Sequence, residues 1–191
     1  MHADATGRLS VEENDDRALV SACLGGDKGA FDVLVERHRK PVYQVCYRFA
    51  GNHEDAAELT QDVFVRAYRA LGTFKGQSAL GTWLYRIAVN VGLNRAAVRQ
   101  PPIEAIDTRE HADPGAELPE SAVLRSERAA RVRTAIAKLP KKQRATLILR
   151  VYHELPHDQI AAILGSSAGA VKTNFFHALA RLRKLLQEEE Q

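Results

Sequence analysis

Three residues late in the chain have the spacing of a zinc site. His153, Glu154 and His157 match the H-E-x-x-H pattern, in which two histidines one helical turn apart bind zinc and the glutamate acts as a base. That chemistry requires a continuous helix, whereas Pro156 removes a backbone donor and disfavours helical geometry at Leu155. We therefore expect a loop between two helices here, with no metal, no cofactor and no catalytic residue.

The same third of the chain is rich in cations that could bind phosphate. Residues 128–187 contain twelve lysines and arginines against two carboxylates, although the whole chain has a net charge of only +3. Neutralising phosphates with such cations releases counterions and so gives affinity for nucleic acid. A run of charges alone is more simply explained as a solvated surface than as a nucleic-acid-binding one. The secondary structure that carries these cations decides between the two interpretations.

A helix-turn-helix is predicted to present them. An apolar helix stops at Gly165, and a second periodic segment starts near Ala168. One face of that second helix is apolar and should be buried: Val171, Phe175, Ala178, Leu182 and Leu185. The other side is polar or exposed: Lys172, Thr173, Phe176, His177 and Lys184. The corner, the two faces and the local charge together predict that this helix binds DNA in the major groove.

An acidic, proline-containing segment divides the chain into two parts. Residues 101–127 contain four prolines and seven carboxylates against two arginines, with few large apolar side chains. Such a segment cannot bury enough surface to offset the entropy of ordering, so we expect a flexible linker. Residues 1–15 and the acidic end at 188–191 are also expected to be unfolded. The predicted domains are then 16–100 and 128–187.

The N-terminal domain is predicted to contain about four helices. No alternating strand pattern occurs anywhere, so the expected fold class is all-α. The second helix starts near Asp27, and Pro41 should kink or break it. The third, from about His53 to Leu71, carries an acidic stripe with a glutamine beside it: Asp55, Glu58, Gln61 and Asp62. By itself such a stripe could simply be solvated.

The fourth helix, from about Leu80 to Arg99, carries a second polar stripe. Its members recur at spacings of three and four: Trp83, Arg86, Asn90 and Asn94. An indole beside a guanidinium and two amides could stack on and hydrogen-bond unpaired bases. In the simpler interpretation the tryptophan belongs to the core and the asparagines are merely exposed.

Several motifs, taken together in this order, resemble the extracytoplasmic-function group of bacterial sigma-70-type sigma factors. The segments that carry the resemblance are Asp27-Lys-Gly-Ala-Phe-Asp-Val-Leu, Asp55-Ala-Ala-Glu-Leu-Thr-Gln-Asp-Val-Phe, Thr82-Trp-Leu-Tyr-Arg-Ile-Ala-Val-Asn, Leu139-Pro-Lys-Lys-Gln-Arg and Ala170-Val-Lys-Thr. The resemblance implies a domain like sigma region 2, a linker and a domain like region 4. An ordinary helix-turn-helix regulator, acting without core polymerase, is the alternative.

The resemblance also implies partners and sites. The acidic stripe on the third helix would bind core RNA polymerase. Unpaired bases of the minus-10 element would be captured by Phe74, Lys75, Gln77, Ser78, Trp83, Arg86, Asn90 and Asn94. The minus-35 element would be bound by Lys141, Arg144, Lys172, Thr173, Phe176, His177 and Lys184. An anti-sigma factor is the further expected partner. Since no leader or bilayer-spanning run is seen, we expect a cytoplasmic protein without membrane contact of its own.

Overall fold

The computed structural model describes residues 5–98 and 119–188. Within these ranges all regular structure is helical, so the predicted all-α class is confirmed. The helices are α1 Ala5–Leu24, α2 Lys28–Ala50, α3 His53–Ala70, α4 Leu80–Val98, α5 Pro119–Ala137, α6 Lys141–Val151, α7 His157–Leu164 and α8 Ala168–Glu188, with a 3-10 turn at Leu71–Thr73. None of the described helices is long and apolar enough to cross a membrane.

Capping residues set the ends of the helices that build the N-terminal domain. The Asp27 side chain accepts hydrogen bonds from the first amides of α2, which would otherwise lack partners. Gly51 ends α2 in the left-handed conformation, with φ of 84°, where a side chain would be strained. Asn52 then accepts a hydrogen bond from the Asp55 amide, 2.8 Å away, and starts α3 one residue later.

The N-terminal core lies among α2, α3 and α4. Each contributes buried apolar side chains at helical spacing, including Leu34, Val45, Val63, Leu84 and Ala88. Helix α2 continues through Pro41, so of the predicted kink or break the break does not occur. Leu34 before the proline and Val45 after it are both buried, and their packing offsets the hydrogen bond that proline removes.

The C-terminal domain contains the predicted helix-turn-helix. Helix α7 ends at Gly165, which has φ of 58°, and α8 begins at Ala168 as expected. Val171 and Ala178 are fully buried, as the predicted apolar face requires. The segment between α6 and α7 is a loop, so His153 and His157 do not share a continuous helix and the predicted loop is confirmed.

Two predicted domain boundaries differ from the structure. Helix α1 begins at Ala5, so residues 5–15, expected to be unfolded, are helical. Extending an existing helix avoids the cost of nucleation, and the later part of α1 packs on the domain. Helix α5 likewise begins at Pro119 rather than after residue 127, and proline suits a first turn. The remainder of the predicted linker, residues 101–118, and positions 1–4 and 189–191 lie outside the described residues.

The two domains pack directly on each other. The Arg144 guanidinium of α6 donates to the Phe49 carbonyl of α2 at 2.8 Å and lies over the Phe49 ring. From the other side, Arg86 of α4 donates to the carbonyl of Ala162 in α7. Arg48 stacks on the Tyr152 ring, 3.9 Å from its centroid. These contacts join α2 and α4 to the C-terminal domain.

Replacing Gly92 with alanine should destabilise the N-terminal domain. A Cβ at Gly92 would lie 2.6 to 2.9 Å from atoms of the buried Phe49 ring and Cβ, so the helices would have to move apart. Overpacking of this kind costs about 1 to 3 kcal/mol in the free energy of unfolding, measurable by urea denaturation. Gly81→Ala in the same helix is the control, because its methyl would sit 3.9 Å from His38. Equal stability of the two variants would contradict this packing.

The stability of the protein should also fall in acid through His153. Burial, together with the nearby Arg48 charge, lowers the pKa of His153 to about 4, and its ring packs on Tyr85 of α4. The neutral ring is therefore favoured on folding, and this stabilisation is complete above the unfolded pKa of about 6.5 and lost as the pH falls towards 4.

Between pH 7.5 and pH 5, the free energy of unfolding should therefore drop by roughly 2 kcal/mol more in the wild type than in His153→Phe. Phenylalanine keeps a ring against Tyr85 but cannot titrate. Urea denaturation at the two pH values measures the difference, and parallel pH dependence in both proteins would refute it.

Candidate nucleic-acid and protein interface

Helix α8 presents the residues predicted to bind the minus-35 element on its outer surface. Ser167 accepts a hydrogen bond from the Ala170 amide, and this N-cap starts the helix at the turn. The predicted side chains are all exposed: Lys172, Thr173, Phe176, His177 and Lys184. Phe176 is 69% exposed, which is unusual for a phenylalanine and leaves its ring free to contact a partner. The structure thus brings five of the seven predicted residues to one helix.

The other two members of that set lie on α6 and differ from each other. Lys141 is exposed at the start of the helix. Arg144 is only 6% exposed, because its guanidinium packs on Phe49 in the N-terminal domain. In this arrangement the Arg144 guanidinium faces the N-terminal domain rather than solvent, and its predicted phosphate contact remains a prediction. The signal that could have indicated this burial is the mostly apolar run that follows it, from Ala145 to Leu149, all of which is buried.

The residues predicted for the minus-10 element lie together at the loop before α4 and along that helix. Trp83 is half-buried and packs on Phe74, with ring centroids 5.5 Å apart, so the indole is neither core nor fully solvated. Arg17 of α1 donates to the Gly76 carbonyl at 3.1 Å and so fixes the loop, a role not predicted from the sequence. The polar members of the set are Lys75, Gln77, Ser78, Arg86, Asn90 and Asn94, all exposed or half-exposed.

The acidic stripe on α3 is only partly free. Asp55 is buried, and its carboxylate accepts hydrogen bonds from Asn52 at 2.9 Å and from Arg95 at 2.7 Å. The same Arg95 guanidinium lies 2.7 Å from Glu58, whose side chain is 57% exposed. Arg95 therefore links α4 to α3 and orients Glu58 toward solvent, a positioning role that the sequence did not reveal.

An apolar groove runs beside the stripe, between α2 and α3. It has a volume of about 1050 Å³, and Gln61 is one of the residues that line it. Its apolar lining consists of Phe31, Val35, Tyr43, Ala57, Phe64, Val65 and Tyr68. Val65 and Tyr68 are more than 40% exposed, so the groove is open to a partner. Arg39, Lys40 and Arg69 surround it with positive charge.

No group of three or more histidine, cysteine or carboxylate side chains within residues 5–98 and 119–188 is arranged to hold a metal ion. His153 lies in the loop with its ring against Tyr85, while His157 contacts Phe175 with ring centroids 6.2 Å apart. The two imidazoles therefore pack on different aromatic partners. Their environment is that of packing residues in a helical domain.

Comparison with known proteins identifies the class to which these two domains belong. The family model for sigma-70 region 2 matches residues 34–100, and the model for sigma-70 region 4 matches residues 129–182. The chain belongs to the extracytoplasmic-function group of the sigma-70 family of RNA polymerase sigma factors, as its sequence motifs predicted.

Individual relatives agree over nearly the whole chain. RNA polymerase sigma-H factor of Pseudomonas aeruginosa is 38% identical over 186 residues, which cover 93% of this chain and 96% of that protein. The ECF RNA polymerase sigma-E factor of Haemophilus influenzae is 35% identical, with 93% and 98% covered. Among solved structures, CnrH in complex with the cytosolic domain of CnrY is 28% identical with a TM-score of 0.66, covering 91% of this chain and 98% of that one.

Removing the Arg95 side chain should destabilise the N-terminal domain. Arg95→Ala would leave the buried Asp55 carboxylate with fewer hydrogen bonds, at a cost of about 1 to 2 kcal/mol in the free energy of unfolding. Arg66→Ala is the control, because the Arg66–Asp62 pair is largely solvated and should contribute less than about 0.5 kcal/mol. Urea denaturation compares them, and an Arg95→Ala effect no larger than that of the control would contradict the positioning role.

Proposed function

We propose that this sigma factor binds core RNA polymerase through the exposed part of α3 and contacts a promoter with α4 and α8. The observation that supports this division is the distribution of exposed charge. Carboxylates of α3 face solvent on the N-terminal domain, whereas α8 presents Lys172 and Lys184 on the C-terminal domain. Acidic side chains are suited to a protein partner, and cations are suited to phosphates.

On the polymerase-binding surface, Glu58, Gln61 and Asp62 are the side chains available to a partner. Gln61 borders the apolar groove between α2 and α3, so a docked helix could bury apolar side chains there and meet carboxylates at the edge. Asp55 contributes indirectly, because its carboxylate fixes Arg95 and hence Glu58. We therefore assign Asp55 a supporting role within the proposed site.

At the minus-10 element, the pair of Phe74 and Trp83 provides an aromatic surface for an extruded base. Stacking on such a surface contributes about 1 to 3 kcal/mol per base, which would offset much of the cost of unpairing. Asn90 and Asn94 continue along the exposed side of α4 and supply hydrogen-bonding groups. Lys75 and Gln77 are exposed in the loop, where a backbone phosphate could lie.

At the minus-35 element, the N-terminal half of α8 would enter the major groove. Lys172, Thr173, Phe176 and His177 project from its first three turns, where a recognition helix contacts base edges. Lys141 and Lys184 lie outside that group and would bind phosphates. The Thr173 hydroxyl donates to the Gly169 carbonyl at 3.1 Å, and the methyl group of this exposed side chain could contact a thymine methyl.

We further infer control by an anti-sigma factor. The related CnrH was solved in complex with the cytosolic domain of CnrY, and this likeness covers nearly all of both chains. The exposed Phe176 and the apolar groove offer surfaces that such a partner could cover. The protein would then act in the cytoplasm and through binding alone, without covalent chemistry of its own. The alternative of a regulator independent of polymerase is not favoured, since both domains match sigma regions.

Lys172→Ala should impair transcription from a promoter that depends on its minus-35 element. Loss of one contact to a base or phosphate costs about 1 to 3 kcal/mol, so transcription should fall roughly tenfold. Gel filtration should show unchanged association with core polymerase, because Lys172 and α3 lie in different domains. Lys142→Ala removes one exposed charge outside the candidate set and should behave as wild type. Unchanged transcription with Lys172→Ala would contradict the role of α8, and absence of any complex with core polymerase would contradict the proposal as a whole.

A further inference from the structure

Two neighbouring residues of α1 connect α2 to the loop before α4. The Asp16 carboxylate accepts a hydrogen bond from Arg37 at 2.7 Å and lies 2.9 Å from Nε2 of His38, both on α2. The next residue, Arg17, donates to the Gly76 carbonyl in the loop at 3.1 Å. One side chain of α1 is therefore anchored on α2, and its neighbour reaches the proposed minus-10 surface.

The contacts of Asp16 hold α1 in one position on α2. Its side chain is only 8% exposed, and a buried carboxylate is costly unless it is paired and hydrogen-bonded. Arg37 also pairs with Asp15, and Val20, one turn later on α1, is buried in the core. A shift or rotation of α1 would therefore leave the Asp16 carboxylate buried without these partners. Since Arg17 follows on the same helix, its position is fixed as well.

The loop itself has few other contacts that fix its backbone. No backbone–backbone hydrogen bond involves residues 75–78 in the described parts of the chain. Gly76 has φ of 64°, and the Nε atom of Arg17 lies 3.9 Å from the position that a Cβ would take there. Because a peptide unit is planar, the hydrogen bond to the Gly76 carbonyl also orients the amide of Gln77. Arg17 thus sets the path of the chain between Lys75 and Gln77, two of the predicted minus-10 contacts.

The same anchor reaches the far end of the loop through His38. A Cβ on Gly81, in the first turn of α4, would lie 3.9 Å from two atoms of the His38 ring. Gly81 comes two residues before Trp83, whose indole packs on Phe74 at the other end of the loop. Asp16 therefore holds the His38 ring between α1 and the start of α4. The loop is supported at its middle by Arg17 and at its end by His38.

We propose that α1 positions the minus-10 loop through a clamp consisting of Asp16, Arg17, Arg37 and His38. The choice of base at this loop then depends on a helix that makes no predicted contact with DNA. This inference rests on the proposed minus-10 function of the loop. Arg17 is a positioning residue, because it acts through the backbone of Gly76. Its side chain is exposed, so its removal leaves no unpaired group in the core.

Limited trypsin digestion of the full chain tests the clamp without DNA, because trypsin can cleave the loop after Lys75. Arg17→Ala should raise the rate of this cleavage roughly fivefold, since the population of the open loop rises when such a hydrogen bond is lost. Lys28→Ala also removes one exposed charge and one trypsin site, and it should behave as wild type. Mass spectrometry identifies the fragments. Cleavage after Arg48, within α2, reports unfolding of the whole domain and should not change.

A double-mutant cycle tests whether Asp16 acts through Arg17. Asp16→Asn should also speed cleavage after Lys75, and the variant with both substitutions should be no faster than the faster single one. Should Asp16→Asn not fold, Arg37→Met takes its place, because it removes one anchor and leaves His38. Cleavage in Arg17→Ala no faster than in Lys28→Ala would overturn the clamp. Equal increases after Lys75 and after Arg48, or single effects that multiply, would overturn it as well.

Selection from single-stranded DNA with a randomised centre tests the consequence for base choice. The full chain is combined with core polymerase, and the strands that the complex retains are sequenced. The position at which Gln77→Ala loses its base preference marks the base that the loop contacts. Arg17→Ala should lose preference at that same position, with enrichment there falling roughly fivefold or more.

Retention of that preference by Arg17→Ala would overturn the role of α1 in base choice. A wild-type complex that enriches no sequence would instead overturn the proposed minus-10 function itself. The trypsin experiment would then still decide whether α1 holds the loop, so the two failures are distinguishable.

Discussion

Phe49 is the residue on which both halves of the structure depend. Its ring lies against Gly92 and closes the core between α2 and α4. There is no room between them for one additional methyl group. The other side of the ring faces Arg144 of the C-terminal domain, and its carbonyl accepts that guanidinium. Gly51 then ends α2 two residues later, so this carbonyl lies at a helix end where a cation is favoured. Packing within one domain and attachment of the other therefore meet at one side chain.

The distribution of charge explains how a chain of small net charge can serve two kinds of partner. Cations are concentrated on the C-terminal domain, and carboxylates on α3 lie in the other domain. Intramolecular pairing then determines which charges remain for a partner. Arg95 pairs with the buried Asp55 carboxylate but leaves Glu58 half-exposed. The Arg144 side chain is buried in the domain interface. The sites are thus defined as much by what the fold neutralises as by what it exposes.

Much of the fold could be predicted from the sequence, because it depends on local signals. Gly165 and Ala168 mark the turn of the helix-turn-helix, and the periodicity of α8 separates buried Val171 from exposed Lys172. Contacts between distant segments could not be predicted in this way. Nothing local to Arg144 indicates that it packs 95 positions away on Phe49, and the pairing of Arg95 with Asp55 spans 40. Of the kink or break expected at Pro41, the break does not occur for the same reason, because tertiary packing outweighed a local preference.

The sequence contains a single tryptophan, and the fold places it half-buried against Phe74 at the proposed minus-10 surface. The protein therefore carries its own fluorophore at the position where a base would stack. Its emission comes from one environment and reports on that surface alone, without a label or a background from other indoles. Tryptophan fluorescence can therefore follow changes at this aromatic pair in the free protein. It can also follow the binding of a small ligand, or of a protein partner that contains no tryptophan.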